Sequence, residues 1–368
     1  MSARNPPALL PSATIPIAPS RDRVDWLDSA RGAAIVLVVL LHSHATAVLL
    51  DGEIGTFITE LNRVLRQVRM PLFYFCSGVL AYWGLGKPWS VVFRKRVLVL
   101  CWVIFLWTII YFALQPFVNA NAWSTPHRAS QLFIVPFGVL WFLYAILIMS
   151  IVMRGVRPLG LPSQIVSILA LNGLVLVARK TFDMGGYDYL TDNLSHYAIA
   201  FFSAGSWIAP FALRMLDSRA QVVSLTILAL VILVIDIALS TFVPLYDAVP
   251  VTLRSIPDVF FGVTFAALLA RWQPIRAVFV WLGTRTLEIF LFHPIFIGLT
   301  LLAIQPFGLH AGRALPLIFV GALAGSILAE RIAAAAGLRW LFRLPDWLTR
   351  AEPKPALAPA ILHETPAG

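Results

Sequence analysis

The first apolar segment contains two side chains whose types and spacing could do chemistry together. Arg31 is followed by ten residues of small or apolar type and then by His42. Eleven positions are about three helical turns, so both side chains leave the same face, about 16 Å apart along the axis. Arginine binds phosphate oxygens through its planar fork, and imidazole transfers protons near neutral pH. The pair therefore predicts a path for an elongated anionic molecule, with proton transfer at its deeper end.

A second histidine, His44, follows two residues later. It lies about 200° around the same helix and so points away from the face of His42. We expect His44 to be structural, and His42 to be held largely neutral because a charged imidazole in hydrocarbon is costly.

The composition determines which elements carry these residues. Of the 368 residues, 59% are hydrophobic and only 12% are charged, against about 25% charged in soluble domains. Backbone groups in lipid must be satisfied internally, so long apolar runs form helices. The sequence predicts an all-α polytopic membrane protein with about ten transmembrane helices, near 32–50, 71–86, 97–117, 132–153, 163–178, 194–213, 221–242, 255–270, 286–305 and 314–336.

The net charge of +10 is distributed as in membrane proteins. With the N-terminus inside, twenty of the 28 lysines and arginines fall on the cytoplasmic side. This bias is the positive-inside rule, and it places both the N- and the C-terminus in the cytoplasm. The basicity thus reflects topology and gives no reason to expect nucleic acid as a partner.

The chain divides into one membrane domain with two tails. Residues 1–23 are rich in proline and predict a disordered N-terminal tail, and residues 24–336 form the membrane domain. Residues 337–368 begin with Trp, Leu and Arg, which is typical of a short interfacial helix, and continue as a Pro/Ala-rich disordered tail. The two cysteines, Cys76 and Cys101, are expected at different depths, so we predict no disulfide between them.

The ninth predicted span carries an acid and another histidine. Glu288 precedes His293 by five residues, which places the two about 140° apart on a helix. Ionisable groups within a membrane are costly and tend to be functional. Glu288 and His293 therefore reach different neighbours, one of which is expected to be the first helix. A contact of Glu288 with that helix would let its carboxylate orient the imidazole of His42.

Four segments, in order, resemble the acyltransferase family 3 of integral membrane proteins. "RVDWLDSARGAAIVLVVLLHSH" is similar to the first-helix signature of that family, an arginine, ten residues and a histidine. "MPLFYFCSGVLAYWG" resembles the aromatic residues before Ser-Gly in its second helix. "VLWFLYAILI" and "RTLEIFLFHPIFI" are similar to its Trp-Phe-Leu element and to its late Glu-to-His helix. The resemblance extends from residue 24 to about 336.

The resemblance implies a membrane O-acyltransferase of the bacterial plasma membrane. It would move an acyl group, often acetyl, from cytoplasmic acyl-CoA to a hydroxyl of a cell-surface or membrane-proximal acceptor, commonly a sugar. His42 would act as the general base or as a transient acyl carrier, and Arg31 would hold the donor. Glu288 and His293 are the further catalytic candidates. We expect no bound cofactor and no metal, because acyl-CoA enters as a substrate.

The start of the third helix departs from the family pattern. Members often show two arginines three apart, whereas here Arg94 and Arg96 are present but Val99 stands where a further arginine is expected. We assign Arg94 and Arg96 to donor binding, with purely topological charge as the other interpretation. The main rival function is a transporter or flippase of a lipid-linked sugar, with Asp236 and Asp258 as proton carriers.

The predicted topology can be tested with single cysteines in a variant that lacks both native ones. Because of the positive-inside bias, positions 121 and 188 should lie outside and positions 89 and 217 inside. In intact cells, an impermeant thiol reagent should label cysteines at Asn121 and Asp188 but not at Trp89 and Asp217. The reverse pattern would contradict the orientation.

Overall fold

The computed structural model describes residues 24–51, 54–115, 133–216, 218–345 and 348. Within these ranges the chain forms eleven helices of more than ten residues and no strand. They are α1 (Asp25–Asp51), α2 (Thr56–Leu85), α3 (Trp89–Leu114), α4 (Gly138–Val156), α5 (Leu161–Thr181), α6 (Gly185–Met215), α7 (Arg219–Phe242), α8 (Val251–Leu269), α9 (Gln273–Gly283), α10 (Thr286–Ile304) and α11 (Ala311–Ala335). The predicted fold class, an all-α polytopic membrane protein, is confirmed.

Nine of the described helices, all except α2 and α9, are long and apolar enough to cross a membrane. One further long helix, α2, is not among these nine. It begins at Thr56 and not near 71 as the apolar run predicted. Three arginines, at 63, 66 and 69, interrupt the apolar run there, so composition alone indicated a loop. The eleven-residue α9 lies in a stretch that was also predicted to be a loop. Which side of the membrane each end faces stays a prediction.

The helices α1 and α9 cross with their backbones almost in contact. A Cβ atom added to Gly32 would lie 2.1 Å from the carbonyl oxygen of Phe279, and one added to Gly283 would lie 1.8 Å from that of Asp28. Lipid tails are as apolar as side chains, so membrane helices gain association energy from close packing, which small residues allow. Reciprocal glycines therefore fix where α9 crosses α1.

The helices α2 and α6 meet through the same device. A Cβ atom on Gly78 would lie 2.0 Å from the carbonyl oxygen of Phe202, and one on Gly205 would lie 2.2 Å from that of Phe75. Gly78 belongs to the Ser-Gly element of the second helix. The glycine of that motif thus has a packing reason, since no other residue fits at this crossing.

The chain after α11 folds back onto the bundle. A 3-10 turn, Arg339–Leu341, receives indole N–H bonds from Trp102 and Trp107 of α3 at its second and third carbonyl oxygens, at 2.7 and 2.9 Å. Phe342 then packs on the rings of Trp107 and Phe292, with centroids 6.0 and 5.7 Å apart. This turn therefore joins α3 to α10. The predicted N-terminal tail lies outside the described residues, as does most of the tail beyond 345.

The crossing of α1 and α9 predicts a sharp cost for one added methyl group. Gly283→Ala should destabilise the protein by about 1–3 kcal/mol, the usual cost of overpacking, because its Cβ would overlap the Asp28 carbonyl oxygen. The measurement is the unfolding temperature of the purified protein in detergent. Gly173→Ala is the matched control, since nothing lies within 4 Å of a Cβ on that exposed residue of α5. Equal unfolding temperatures for the two variants would contradict this role of Gly283.

Candidate active site

The two histidines that the sequence separates by 251 positions are neighbours in the structure. The ring centroids of His42 on α1 and His293 on α10 are 5.3 Å apart, and the ring planes are tilted by 42°. His293 is completely buried, whereas His42 keeps some accessible surface. A substrate could therefore reach His42 directly, with His293 behind it.

The hydrogen bonds of His293 identify which of its nitrogens carries the proton. Its Nδ1 lies 2.7 Å from the carbonyl oxygen of Phe290 and 3.2 Å from that of Ile289. A carbonyl oxygen only accepts, so Nδ1 carries a proton, and when the ring is neutral Nε2 is the acceptor. His293 is thereby suited to accept a hydrogen bond from its neighbour and to fix the orientation of that neighbour's ring.

A second contact joins α1 and α10 at the level of Arg31. The guanidinium donates to the hydroxyl oxygen of Thr286 at 2.6 Å and to a carboxylate oxygen of Asp28 at 3.3 Å. Thr286 and His293 are seven residues apart, so they share one face of α10. The two helices therefore run in the same direction, and the face that carries Arg31 and His42 meets α10 at both levels.

The basic cluster at the start of α3 divides into an outward and an inward arginine. Phe93–Val97 forms a π-helical turn, a feature frequent at functional sites. Arg94 is exposed and Arg96 is half-buried. Arg96 donates through Nε to the hydroxyl of Ser150 at 2.7 Å and lies 5.8 Å from the ring centroid of Phe202. Of the two predicted donor-binding arginines on α3, only Arg96 points into the bundle.

Glu288 lies apart from the two histidines. It lines a polar cavity of about 590 Å³ between α9, α10 and α11, and its position is about 200° around α10 from Thr286. Ion pairs flank this cavity, from Arg276 to Asp25 at 2.7 Å and from Arg285 to Glu330 at 3.3 Å. The structure brings His42 and His293 together but places Glu288 on another side of α10. The catalytic role that the sequence suggested for Glu288 is untested, and this separate position makes Glu288 a weaker candidate than His293.

The structure also contains an arginine that the sequence analysis missed. Arg69 belongs to the stretch before residue 71 that composition indicated as a loop, but it lies inside α2 and is completely buried. Its Nη1 lies 3.4 Å from the carbonyl oxygen of Leu37 on α1, five residues before His42. A sequence signal did exist, because Asn62 stands seven residues earlier, on the same face of a helix, and Arg69 directly precedes the second-helix element, which begins at Met70.

The aromatic residues of two motifs are connected to His293 through Phe290. The Trp-Phe-Leu element of α4 supplies Phe142, whose ring centroid lies 5.3 Å from that of Phe290, next to His293 at 5.7 Å. The second-helix element supplies Phe73 and Tyr74, at 5.4 and 5.1 Å from Phe142. Motifs that lie far apart in sequence thus form one chain of ring contacts that ends at His293.

Comparison with known proteins agrees with this convergence. A family model described as an acyltransferase domain, that of acyltransferase family 3, matches residues 24–331. The chain belongs to this family. No curated protein and no solved structure matches the chain. As a member of acyltransferase family 3, the protein is a membrane acyltransferase, and the resemblance predicted from residue 24 onward is confirmed.

Within the described ranges, no group of three or more histidine, cysteine, aspartate or glutamate side chains could hold a metal ion. Both cysteines are free thiols, with Cys76 buried in α2 and Cys101 exposed on α3. The prediction that they form no disulfide is confirmed.

The separate positions of His293 and Glu288 predict different mutational effects in this acyltransferase. His293→Ala removes the ring that contacts His42 and should lower acyl transfer on the order of 10²-fold, the scale of a misplaced catalytic group. Glu288→Gln keeps the shape of the side chain in its separate cavity and should change the rate by no more than about threefold, since removing one charge at a distance is a small effect. Transfer rates are measured at equal amounts of folded protein. If folded Glu288→Gln were inactive, the carboxylate of Glu288 would be needed for catalysis after all.

Proposed function

We propose that this protein transfers an acyl group, acetyl in the first instance, from cytoplasmic acyl-CoA to a hydroxyl of a cell-surface or membrane-proximal acceptor, a sugar or polysaccharide. The observation that carries the proposal is the paired contact between α1 and α10, Arg31 with Thr286 and His42 with His293. We place the protein in a bacterial plasma membrane. Its proposed partners are the donor, the acceptor and membrane lipids.

The donor end of the site is assigned to the arginines that point into the bundle. Arg31 is partly exposed and hydrogen-bonded on one side to Thr286, and Arg96 reaches inward from α3. The guanidinium fork suits the phosphates of coenzyme A. The exposed Arg94 would add attraction at the entrance. From Arg31 to His42 the helix rises about 16 Å, a span for the extended arm that carries the thioester.

The chemical step assigned to His42 is general-base catalysis. An imidazole nitrogen takes the proton of the acceptor hydroxyl, and the oxygen attacks the thioester carbonyl carbon. The carbon–sulfur bond then breaks, the acyl group stays on the acceptor, and the coenzyme A thiolate takes the proton back. His293 holds the ring of His42 throughout. In the other version His42 attacks first and carries the acyl group briefly before the acceptor receives it.

Membership of an acyltransferase family argues against the rival function of a flippase. Asp258 is buried in α8, and Asp236 on α7 accepts a hydrogen bond from the hydroxyl of Tyr246. Acids in such positions would suit a proton carrier, but nothing in a flippase requires the contact of two histidines. Release of free coenzyme A thiol by the purified protein distinguishes the two functions, because a flippase leaves the thioester intact.

Substitution of His42 tests the proposed function. General-base assistance is typically worth about 10²–10⁴-fold in rate, so His42→Ala should abolish transfer. His42→Gln keeps a hydrogen-bonding side chain but cannot act as a base, and it should be equally inactive. His44→Ala, on the other side of α1, should keep most activity. The measurement is acylated product by mass spectrometry from cells with matched amounts of each protein.

The outcome that would contradict the mechanism is full activity in His42→Gln, since the imidazole would then be structural. Unequal insertion is controlled by the amount of each variant in the membrane fraction. Removing a polar group from a membrane helix does not hinder insertion, because polar groups are the costly ones there.

A further inference from the structure

Arg69 occupies a position in α2 that packing does not explain. Its side chain has no accessible surface and is among the largest of the fully buried side chains in the described residues. A charge buried within a membrane domain is expensive, and such residues face the bundle interior and mark functional pathways. An apolar side chain of similar length would fill the same space at lower cost.

The guanidinium of Arg69 is held in a defined orientation. Nη1 donates to Oδ1 of Asn62 at 2.8 Å, and Nη2 donates to the backbone carbonyl oxygen of the same residue at 3.1 Å. Nη1 also lies 3.4 Å from the carbonyl oxygen of Leu37 on α1. Asn62 therefore accepts hydrogen bonds from two nitrogens of the guanidinium. The contact with Leu37 holds the guanidinium against α1, which carries His42.

The charge of Arg69 lies beside the helix that carries the proposed base. Leu37, whose carbonyl oxygen lies 3.4 Å from Nη1, precedes His42 by five residues, about 7.5 Å along the axis of α1. On the α10 side, the ring centroid of His293 lies 5.3 Å from that of His42. In the resting site, Arg69 and a protonated His42 would repel each other. A negative charge formed between them would be attracted by both. The arrangement thus stabilises the reaction state in which His42 is protonated and an anion lies beside it.

We propose that Arg69 is a catalytic residue that stabilises the oxyanion of the acyl-transfer step. This inference rests on the proposed function. As the acceptor oxygen bonds to the thioester carbon, the carbonyl electron pair moves to oxygen and the hydroxyl proton moves to His42. The guanidinium of Arg69 donates hydrogen bonds to that oxyanion. When the carbon–sulfur bond breaks, the carbonyl re-forms, and the proton leaves His42 for the thiolate.

The size of the effect follows from the surroundings. A donor aimed at developing charge in a dry site needs no reorganisation during the reaction, and losing one such donor costs about 10²–10³-fold in kcat. The interaction exists in the transition state and not with the ground-state carbonyl. Loss of Arg69 should therefore lower kcat and leave the KM for acyl-CoA nearly unchanged.

Three variants of the full-length protein in detergent test this assignment. Arg69→Met removes the charge at similar length and should lower kcat by about 10²–10³-fold, with the KM for acetyl-CoA unchanged within about threefold. Arg69→Lys keeps the charge but lacks the planar fork. Its kcat should be at least about tenfold higher than that of Arg69→Met, because the ammonium can still donate one hydrogen bond to the oxyanion. Arg31→Ala is the contrasting variant, since loss of a donor-binding residue should raise the KM for acetyl-CoA.

Folding is followed by the unfolding temperature of each variant. Methionine fills a similar volume without a charge, and the acceptors that it leaves without this donor are neutral oxygens of Asn62 and Leu37, so no unpaired charge is created and Arg69→Met should stay folded. If it does not fold, Asn62→Ala decides, because it loosens the guanidinium and should lower kcat about tenfold through misplacement at constant KM. Wild-type kcat in that variant would overturn the proposal.

Other outcomes also overturn the proposal or its foundation. Wild-type kcat in folded Arg69→Met, a change in KM alone, or no recovery in Arg69→Lys would each contradict oxyanion stabilisation by Arg69. Failure of the proposed function has a different signature, because wild-type protein would then release no thiol from acetyl-CoA. In that case the wild type and His42→Gln would behave alike, whatever stands at position 69.

Discussion

The near-contact of the α1 and α9 backbones is the constraint on which the arrangement of the site depends. Gly32 and Gly283 each lie against a carbonyl oxygen of the other helix, so the crossing point has no freedom to slide. The next helix, α10, begins three residues after Gly283, at Thr286. Fixing the crossing therefore fixes which residue of α10 faces Arg31. α1 and α10 then run in the same direction, and the histidine contact lies further along both helices, eleven residues after Arg31 and seven after Thr286.

The polar groups inside the bundle are held largely by backbone oxygens and hydroxyls. His293 donates to carbonyl oxygens of its own helix, and Arg69 to those of Asn62 and Leu37. Arg96 donates to a serine hydroxyl. Such bonds meet the requirement that buried donors find acceptors while they set the direction of each side chain. Groups oriented by neutral partners can respond to charge that appears during a reaction, which is the requirement of electrostatic catalysis.

Much of the fold was predictable, because the bilayer imposes one rule on composition and length. Long apolar runs located nine of the spans, and helical arithmetic placed Arg31 and His42 on one face. The same arithmetic separated Glu288 from His293. The rule did not predict the first half of α2, because its arginines gave that stretch the composition of a loop. Contacts with neighbouring helices of the same chain bury one of those arginines, Arg69. A single sequence does not show which charged residues will be buried in this way.

The composition of the site could not be predicted, because it depends on the register between helices. Sequence spacing fixes angles within one helix, whereas the contact of His42 with His293 depends on where α1 crosses α9. The short α9 was itself assigned to a loop, so the crossing was invisible. Arg69 enters the site for a related reason, since only the early start of α2 turns a loop residue into an interior one. The motifs identified the family. The positions that suggest separate roles for His42, His293 and Arg69 depend instead on how the helices cross, which glycine contacts away from the site determine.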